Sequence, residues 1–249
     1  MVRYLDHKKR QDDILNCVIQ TYINEGTPVS SEYLKSKYQL SLSSATLRHV
    51  MAELEDLGYL VHVHISSGRV PTQKGFRYYV DFLMQEETDL TSLQEYSFER
   101  NISYMNELDD LLEEASRMIS KLTHYAGVGL IHKERERFFL KGTRFIMREP
   151  EFEDIEVLRN IFTAFEEKMD LLGEFIEDNL TEGIKIFIGN EIGVEEIHSC
   201  SLIFSPLKYT DDVKVSLGVL GPVRMNYPLA VSGLKVVKGY LEEAFQGGV

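Results

Sequence analysis

One short stretch of the sequence carries side chains of the kinds that contact DNA. Ser44, Thr46, Arg48 and His49 lie within six consecutive positions. The guanidinium of an arginine can donate two hydrogen bonds to a guanine edge, and serine or threonine hydroxyls can bond to bases or phosphates. On one exposed face of a helix, these four side chains would form a surface that fits the major groove of DNA.

The same stretch is predicted to begin an amphipathic helix. Ser43 is a suitable N-cap, and Gly58 can end the helix in the left-handed conformation. Burial of the apolar face leaves the four polar side chains pointing outward near the N-terminal end. The apolar residues that recur at helical spacing are Leu47, Val50, Met51, Leu54 and Leu57.

Two further helices are predicted before this one. Residues 10–25 carry apolar side chains at the spacing of a helix with one buried stripe. Pro28 separates this helix from the next one, and a serine at 30 or 31 can cap a short helix over residues 32–38. Residues 39–42 form the turn that completes a helix-turn-helix, in which the third helix reads the bases.

A hairpin, or wing, is predicted after the third helix. Residues 59–65 alternate between apolar and polar types, as a half-exposed strand does, and residues 66–69 form a flexible turn with Arg69 at its tip. His62 and His64 share a face of the strand, but two histidines without a third ligand do not predict a metal site. The candidate DNA contacts are therefore Ser43, Ser44, Thr46, Arg48, His49, Ser67, Arg69, Lys74 and Arg77.

The charge is divided unevenly along the chain. The formal net charge is -13, which is unfavourable for a protein that binds phosphates. However, residues 1–84 carry ten Lys and Arg against nine Asp and Glu, and the remaining residues carry 17 against 31. A nearly neutral N-terminal domain with its cations on one face can still bind DNA.

Several function classes are disfavoured by the sequence. No apolar run is long enough to span a membrane, and the N-terminus lacks the apolar centre of a signal peptide, so a cytoplasmic protein is expected. Cys17 and Cys200 lie far apart without metal-ligand spacing, so both are interpreted as core residues, and neither a metal nor a cofactor is predicted. No catalytic motif is present, and the protein is not expected to be an enzyme.

Residues 85–124 are predicted to form a linker helix between an N-terminal domain, 1–84, and a C-terminal domain, 125–249. Apolar residues follow one another at steps of three and four, as in the seam of a coiled coil. This stripe either dimerises the protein or packs on its own domain. Its members are Met105, Leu108, Leu112, Ala115, Ile119 and Leu122.

The C-terminal domain is predicted to be α+β with a mainly antiparallel sheet. The predicted strands are Gly127–Ile131, Ile184–Gly189, Cys200–Pro206 and Val213–Leu220. The predicted helices are Asp154–Ala164, Lys168–Asn179 and Tyr227–Phe245, the last capped by Asn226.

The sequence resembles the heat-inducible transcription repressor HrcA family. In the N-terminal domain the similar strings are Thr27-Pro28-Val29, Ser44-Ala45-Thr46-Leu47-Arg48, Met51-Ala52-Glu53-Leu54-Glu55, Leu57-Gly58-Tyr59-Leu60, Ser67-Gly68-Arg69-Val70-Pro71-Thr72 and Gly75-Phe76-Arg77-Tyr78-Tyr79-Val80-Asp81. In the C-terminal domain they are Gly142-Thr143, Glu149-Pro150-Glu151-Phe152, Ile188-Gly189-Asn190-Glu191, Ser199-Cys200-Ser201-Leu202 and Gly218 to Tyr227.

This resemblance implies a winged helix-turn-helix followed by a GAF-like domain. It implies a homodimeric repressor of chaperone genes that binds the inverted-repeat CIRCE operator and is kept active by the chaperonin. The chain departs from the family at His49, where asparagine is usual, and over residues 61–64. Only residues 132–137 stand where the family commonly carries a long inserted domain, so a shortened member is predicted.

Two other functions remain open at this point. The GAF-like domain can serve as a sensor of a small molecule that controls the winged helix. Alternatively, the winged helix can bind only protein, although a cluster of Arg48, Arg69, Lys74 and Arg77 on one face would argue against that use.

Overall fold

The chain forms two compact units, residues 1–85 and 86–249. A computed structural model describes residues 2–64, 68–84, 107–132, 137–210 and 213–247, without the side chains of residues 2–5, 246 and 247. Each unit has its own buried core and is considered by itself.

The N-terminal unit is a winged helix-turn-helix. Helices α1 and α2 both pack on α3, whose buried face holds Leu47, Val50, Met51 and Leu54, as the apolar spacing predicted. Leu57, also predicted on this face, is 46% exposed because it follows the last turn of the helix. A short π-helical turn, Tyr79–Leu83, continues from α4. The elements of this unit are α1 (Val2–Glu25), α2 (Ser31–Tyr38), α3 (Ser44–Asp56), β1 (Leu60–His62), β2 (Arg69–Pro71) and α4 (Gln73–Tyr78).

The wing is a short antiparallel hairpin in which Leu60 pairs with Pro71 and His62 with Arg69. Arg69 also exchanges two backbone hydrogen bonds of 2.9 Å with Val29, which lies between α1 and α2. Strand β1 ends three residues before the predicted strand, and Arg69 lies in β2 rather than at the tip of the turn. The wing is therefore tied to the helices at its base, and Arg69 is part of that attachment.

The C-terminal unit has the predicted α+β architecture, with a five-stranded sheet in which every neighbouring pair is antiparallel and the order is β4-β3-β7-β6-β5. This agrees with the GAF-like arrangement expected for residues 125–249. The main elements are α5 (Leu108–Thr123), β3 (Ala126–His132), β4 (Arg137–Lys141), α6 (Thr143–Ile146), α7 (Ile155–Glu167), α8 (Met169–Asp178), β5 (Lys185–Ile188), β6 (Cys200–Thr210), β7 (Val213–Pro222) and α9 (Tyr227–Gly247), with short 3-10 turns at Pro150–Phe152, Gly189–Glu191 and Glu195–Ile197.

The sheet is covered on both faces. Side chains of β3 such as Val128 and Leu130 point into a core that they share with Ile161 of α7 and Leu172 of α8. Helix α5 packs on β3, β4 and α9. The unit therefore has three layers, with α5 and α9 on one side of the sheet and α7 and α8 on the other.

The proposed dimer seam is buried inside this unit. Leu112, Ala115 and Ile119 have no exposed surface, and Leu122 is 9% exposed. These four side chains cannot meet a second chain while the unit is folded, because α5 already packs on the sheet and on α9. The prediction that they dimerise is thus corrected in favour of packing on their own domain; Leu108 is half-buried, and Met105 lies outside the described residues.

Candidate nucleic-acid interface

The N-terminal end of α3 is fixed by a side-chain cap. The Oγ of Ser43 accepts a hydrogen bond of 3.0 Å from the backbone N–H of Thr46, and the two hydroxyl oxygens lie 2.8 Å apart. Ser43 itself has an extended backbone, with φ -69° and ψ 152°, as an N-cap residue should. The main role of Ser43 and Thr46 is therefore to hold the end of the helix. Their hydroxyl groups orient each other.

Arg48 and His49 project from the outer face of α3. Arg48 is 67% exposed, and its closest carboxylate is that of Glu32, 4.0 Å away and itself 77% exposed. An exposed pair at this distance is worth little, since water screens both charges. Arg48 is thus available to an external acceptor, while Ser44 beside it is partly exposed.

His49 is positioned by Glu53 one turn later. Its Nε2 lies 3.3 Å from Glu53 Oε1, which also lies 3.4 Å from Nε2 of His7. The second oxygen of Glu53 accepts a hydrogen bond of 3.0 Å from Gln11. This network connects α3 to the first turns of α1 and holds the imidazole of His49 beside Arg48 on the exposed face.

Arg69 points into the protein. Its Nε donates a hydrogen bond of 2.9 Å to Oε2 of Glu55, and its side chain is only 10% exposed. The other oxygen of Glu55 accepts from the backbone N–H of His62 at 3.2 Å and lies 2.6 Å from its Nδ1. Burial alone would raise the pKa of Glu55, but the hydrogen bonds from His62 and Arg69 outweigh it and hold that pKa below its ordinary value.

The remaining predicted contacts are divided between two places. Lys74 donates from Nζ to the carbonyl of Leu57 at 2.8 Å and lies 5.1 Å from the ring centre of Tyr59, so it closes the C-terminal end of α3. Arg77 pairs with Asp81 one turn later at 3.1 Å. Ser67 lies outside the described residues.

The structure therefore brings five of the nine predicted contacts together: Ser43, Ser44, Thr46, Arg48 and His49, all at the N-terminal end of α3. Arg69 and Lys74 serve the attachment of the wing and the far end of α3. The expected cluster of Arg48 with Arg69, Lys74 and Arg77 is not formed as one face of free cations. The reason is that Arg69 is bonded to Glu55, Lys74 to the Leu57 carbonyl and Arg77 to Asp81.

Residues Gly68 to Gly75 form the joint between the wing and the helices. Thr72 caps α4 by accepting from the N–H of Gly75 at 3.1 Å and donates to the carbonyl of Gly58 at 2.7 Å. A Cβ at Gly75 would lie 2.3 Å from the carbonyl oxygen of Tyr59, and one at Gly68 would lie 2.4 Å from the backbone of Val29. Both glycines permit a close backbone approach that no larger residue allows.

The C-terminal strings have a similar architectural role. Arg224 donates to Glu149 at 2.7 Å and to Glu151, and its side chain is 12% exposed, so it joins the two strings in which these residues lie. Burial raises the pKa of Glu149, against the opposing effect of Arg224. The hydroxyl of Tyr227 donates to the carbonyl of Val223 at 2.6 Å and lies 2.9 Å from Ser201 Oγ.

A metal site and a membrane-spanning helix are both absent from the parts of the chain that the structure describes. Among those residues, no three His, Cys, Asp or Glu side chains are grouped so that they could hold a metal ion. His62, one of the two wing histidines, is engaged with Glu55 instead. No helix in the described ranges combines the length and apolar character needed to cross a membrane.

Comparison with known proteins identifies the sequence relatives. Residues 129–231 match the family model described as the HrcA protein C terminal domain. The heat-inducible transcription repressor HrcA of Symbiobacterium thermophilum is 28% identical, over 94% of this chain and 97% of the relative. That of Acetivibrio thermocellus is 26% identical, over 96% of each. These alignments run over 335 and 341 positions, so both relatives carry segments that this 249-residue chain lacks.

A crystal structure described as that of a hypothetical protein at 2.2 Å resolution has the same fold. It matches 96% of this chain and 97% of its own, with a TM-score of 0.73 and 20% sequence identity. The named relatives are transcription repressors rather than enzymes. The family-model match over residues 129–231 and the relatives aligned over nearly their whole length support a relationship of this chain to the HrcA family.

Proposed function

We propose that this protein represses heat-shock genes by binding an inverted-repeat operator of the CIRCE type. The observation that carries the proposal is the exposed N-terminal end of α3, where Arg48 and His49 stand beside the Ser43 cap. In a helix-turn-helix this end enters the major groove, and an arginine there can bond to O6 and N7 of guanine. The names of the relatives support the link to heat and to repression.

Within this proposal the side chains have different tasks. Arg48 reads a base, because it is exposed and the carboxylate of Glu32 is as far as 4.0 Å away. Ser44 and His49 contact bases or phosphates on either side of it. The Ser43 and Thr46 hydroxyls hold the helix end and present the backbone N–H groups of the first turn to a phosphate.

The operator proposal includes a homodimer. An inverted repeat has two-fold symmetry, and two identical recognition helices match it only when a two-fold axis relates them. The contact between chains lies outside the buried stripe of α5, whose side chains are used within the unit. Control by the chaperonin is proposed on the family resemblance alone: heat diverts the chaperonin to unfolded proteins, and repression is lost.

Arg48→Ala tests the reading role. It should reduce the discrimination between operator and scrambled duplex by about 1–3 kcal/mol, the worth of one bidentate arginine–guanine contact. Arg48→Lys is the matched variant, since it retains the charge but loses the two-point geometry, and it should lose discrimination while keeping affinity for scrambled DNA. Unchanged discrimination in both variants would remove Arg48 from the reading role.

Mapping of binding sites across the genome before and after heat shock tests the regulatory part. Occupancy is expected at inverted repeats upstream of chaperone genes and should fall after heat. Occupancy that is absent from such repeats, or that does not respond to heat, contradicts the proposed regulation.

A further inference from the structure

A groove of about 300 Å³ lies between α1 and the turn that precedes α3. On the side of the turn it is lined by Ser41 and Leu42, which immediately precede the Ser43 cap. On the side of α1 it is lined by Lys9 and Arg10, among others. Helix α1 therefore places two cations directly beside the end of α3 that carries Arg48.

These two cations are not among the DNA contacts predicted from the sequence. Lys9 and Arg10 are exposed, and neither takes part in an ion pair with any residue that the structure describes. Their neighbours one turn away, Asp13 and Asp6, also line the groove but form no ion pair with them within 4.0 Å. Arg69, by contrast, is held by Glu55. A cation without a protein partner is the kind that a phosphate can take up.

The position of the groove matches the edge of a bound duplex. An α-helix with its side chains measures roughly 10–12 Å across, and the major groove is about 12 Å wide. Residues packed alongside the inserted end of the helix therefore face the rim of the groove, where the sugar–phosphate backbone runs.

We propose that Lys9 and Arg10 on α1 form a second DNA contact, which binds the phosphate backbone next to the recognition helix. This inference rests on the proposed binding of DNA by α3 and extends that surface to the first helix. The contact carries no sequence information, so it adds the same affinity to every duplex. Asp6 and Asp13 oppose it, because their carboxylates approach the same phosphates.

Lys8 is the matched control. It is exposed and adjacent in sequence, but it lines a different groove, together with Leu57 and Tyr59 at the C-terminal end of α3. Lys8→Ala removes the same charge from the same helix on a face that is directed away from the recognition end.

The experiment measures binding of labelled duplexes to the full chain and to three variants, Lys8→Ala, Lys9→Ala and Arg10→Ala, at several salt concentrations. Lys9→Ala and Arg10→Ala should each lower the slope of log affinity against log salt by about one, for operator and scrambled duplex alike. The loss of affinity between ~50 and ~200 mM salt should become about three- to fourfold smaller for each. Lys8→Ala should bind as the unaltered protein does.

Asp13→Asn gives a second arm that does not depend on removal of a cation, and it should strengthen binding to both duplexes. Slopes for Lys9→Ala and Arg10→Ala equal to that of Lys8→Ala would overturn the inference. If the unaltered protein fails to prefer the operator, the proposed repressor function fails instead. In that case the slopes on the scrambled duplex still decide whether Lys9 and Arg10 contact phosphate.

Discussion

Arg69 and Glu55 form an ion pair that joins the wing to the recognition helix, with Nε and Oε2 2.9 Å apart. Glu55 is in the last turn of α3, and Arg69 begins β2. The same carboxylate also accepts the backbone N–H of His62 on β1. One acidic side chain therefore connects the helix to both strands of the wing.

Arg69→Ala should destabilise the N-terminal unit without removing a DNA contact. It leaves the Glu55 carboxylate without its charged donor, and a loss of about 2 kcal/mol is expected for a charge-assisted hydrogen bond of this kind. Unfolding is followed by urea titration, with Arg48→Ala as the control that leaves stability unchanged. A variant with unaltered stability whose DNA-binding salt slope falls by one would instead make Arg69 a phosphate contact.

The stability of the wing joint should depend on pH through Glu55. Its pKa is lower in the folded protein than in the unfolded chain, because His62 and Arg69 stabilise the carboxylate against the effect of burial. The contribution is therefore fully present above the unfolded pKa and is lost as the pH falls through the folded pKa. The hydrogen-exchange protection factor of the peptide that covers β1, which corrects for the slower intrinsic exchange at low pH, should fall on acidification more in the unaltered protein than in Glu55→Gln. Equal pH dependence in the two proteins would contradict this.

Gly75→Ala should prevent close packing of α4 on the backbone before β1. The added Cβ would lie 2.3 Å from the carbonyl oxygen of Tyr59, a backbone atom that cannot move aside alone. A loss of about 1–3 kcal/mol or more is expected from this overpacking. Gly239→Ala in α9 is the control, since its Cβ would meet no atom within 4 Å and the substitution should raise helix stability slightly. The check is thermal unfolding, and equal melting temperatures for the two variants would refute the account.

Ile119→Ala separates the two interpretations of the α5 stripe. Ile119 has no exposed surface within its own unit, so truncation should cost about 2–5 kcal/mol of stability. The oligomeric state of the protein that remains folded should not change. Sedimentation at several concentrations measures this, and a folded variant that dissociates into monomers would restore the stripe as the dimer seam.

Local features of the N-terminal unit were predictable because neighbouring residues determine them. Ser43 caps α3, Gly58 follows its end with φ +76°, and the buried face between them has helical spacing. The role of Arg69 was not predictable, since its partner Glu55 lies 14 residues earlier and is brought near only by the packing of wing on helix. The charge of Arg69 indicated a phosphate, whereas the fold supplies a carboxylate.

In the C-terminal unit, two elements could likewise not be predicted from neighbouring residues alone. Strand β4 was not predicted, because its sequence Arg137–Lys141 lacks clear alternation and lies at an edge of the sheet. The stripe on α5 fits a coiled coil and a domain core equally well over so short a length. Its partner is decided by the sheet that forms from residues far along the chain.

Competition between duplexes measures whether the protein distinguishes its operator from other DNA. A labelled duplex with the CIRCE inverted repeat and a scrambled duplex of equal composition are titrated with the full chain at several salt concentrations. We expect the operator to be bound at least about a thousandfold more tightly, with an affinity that falls as salt rises. Equal affinity for both duplexes at every salt concentration would contradict it.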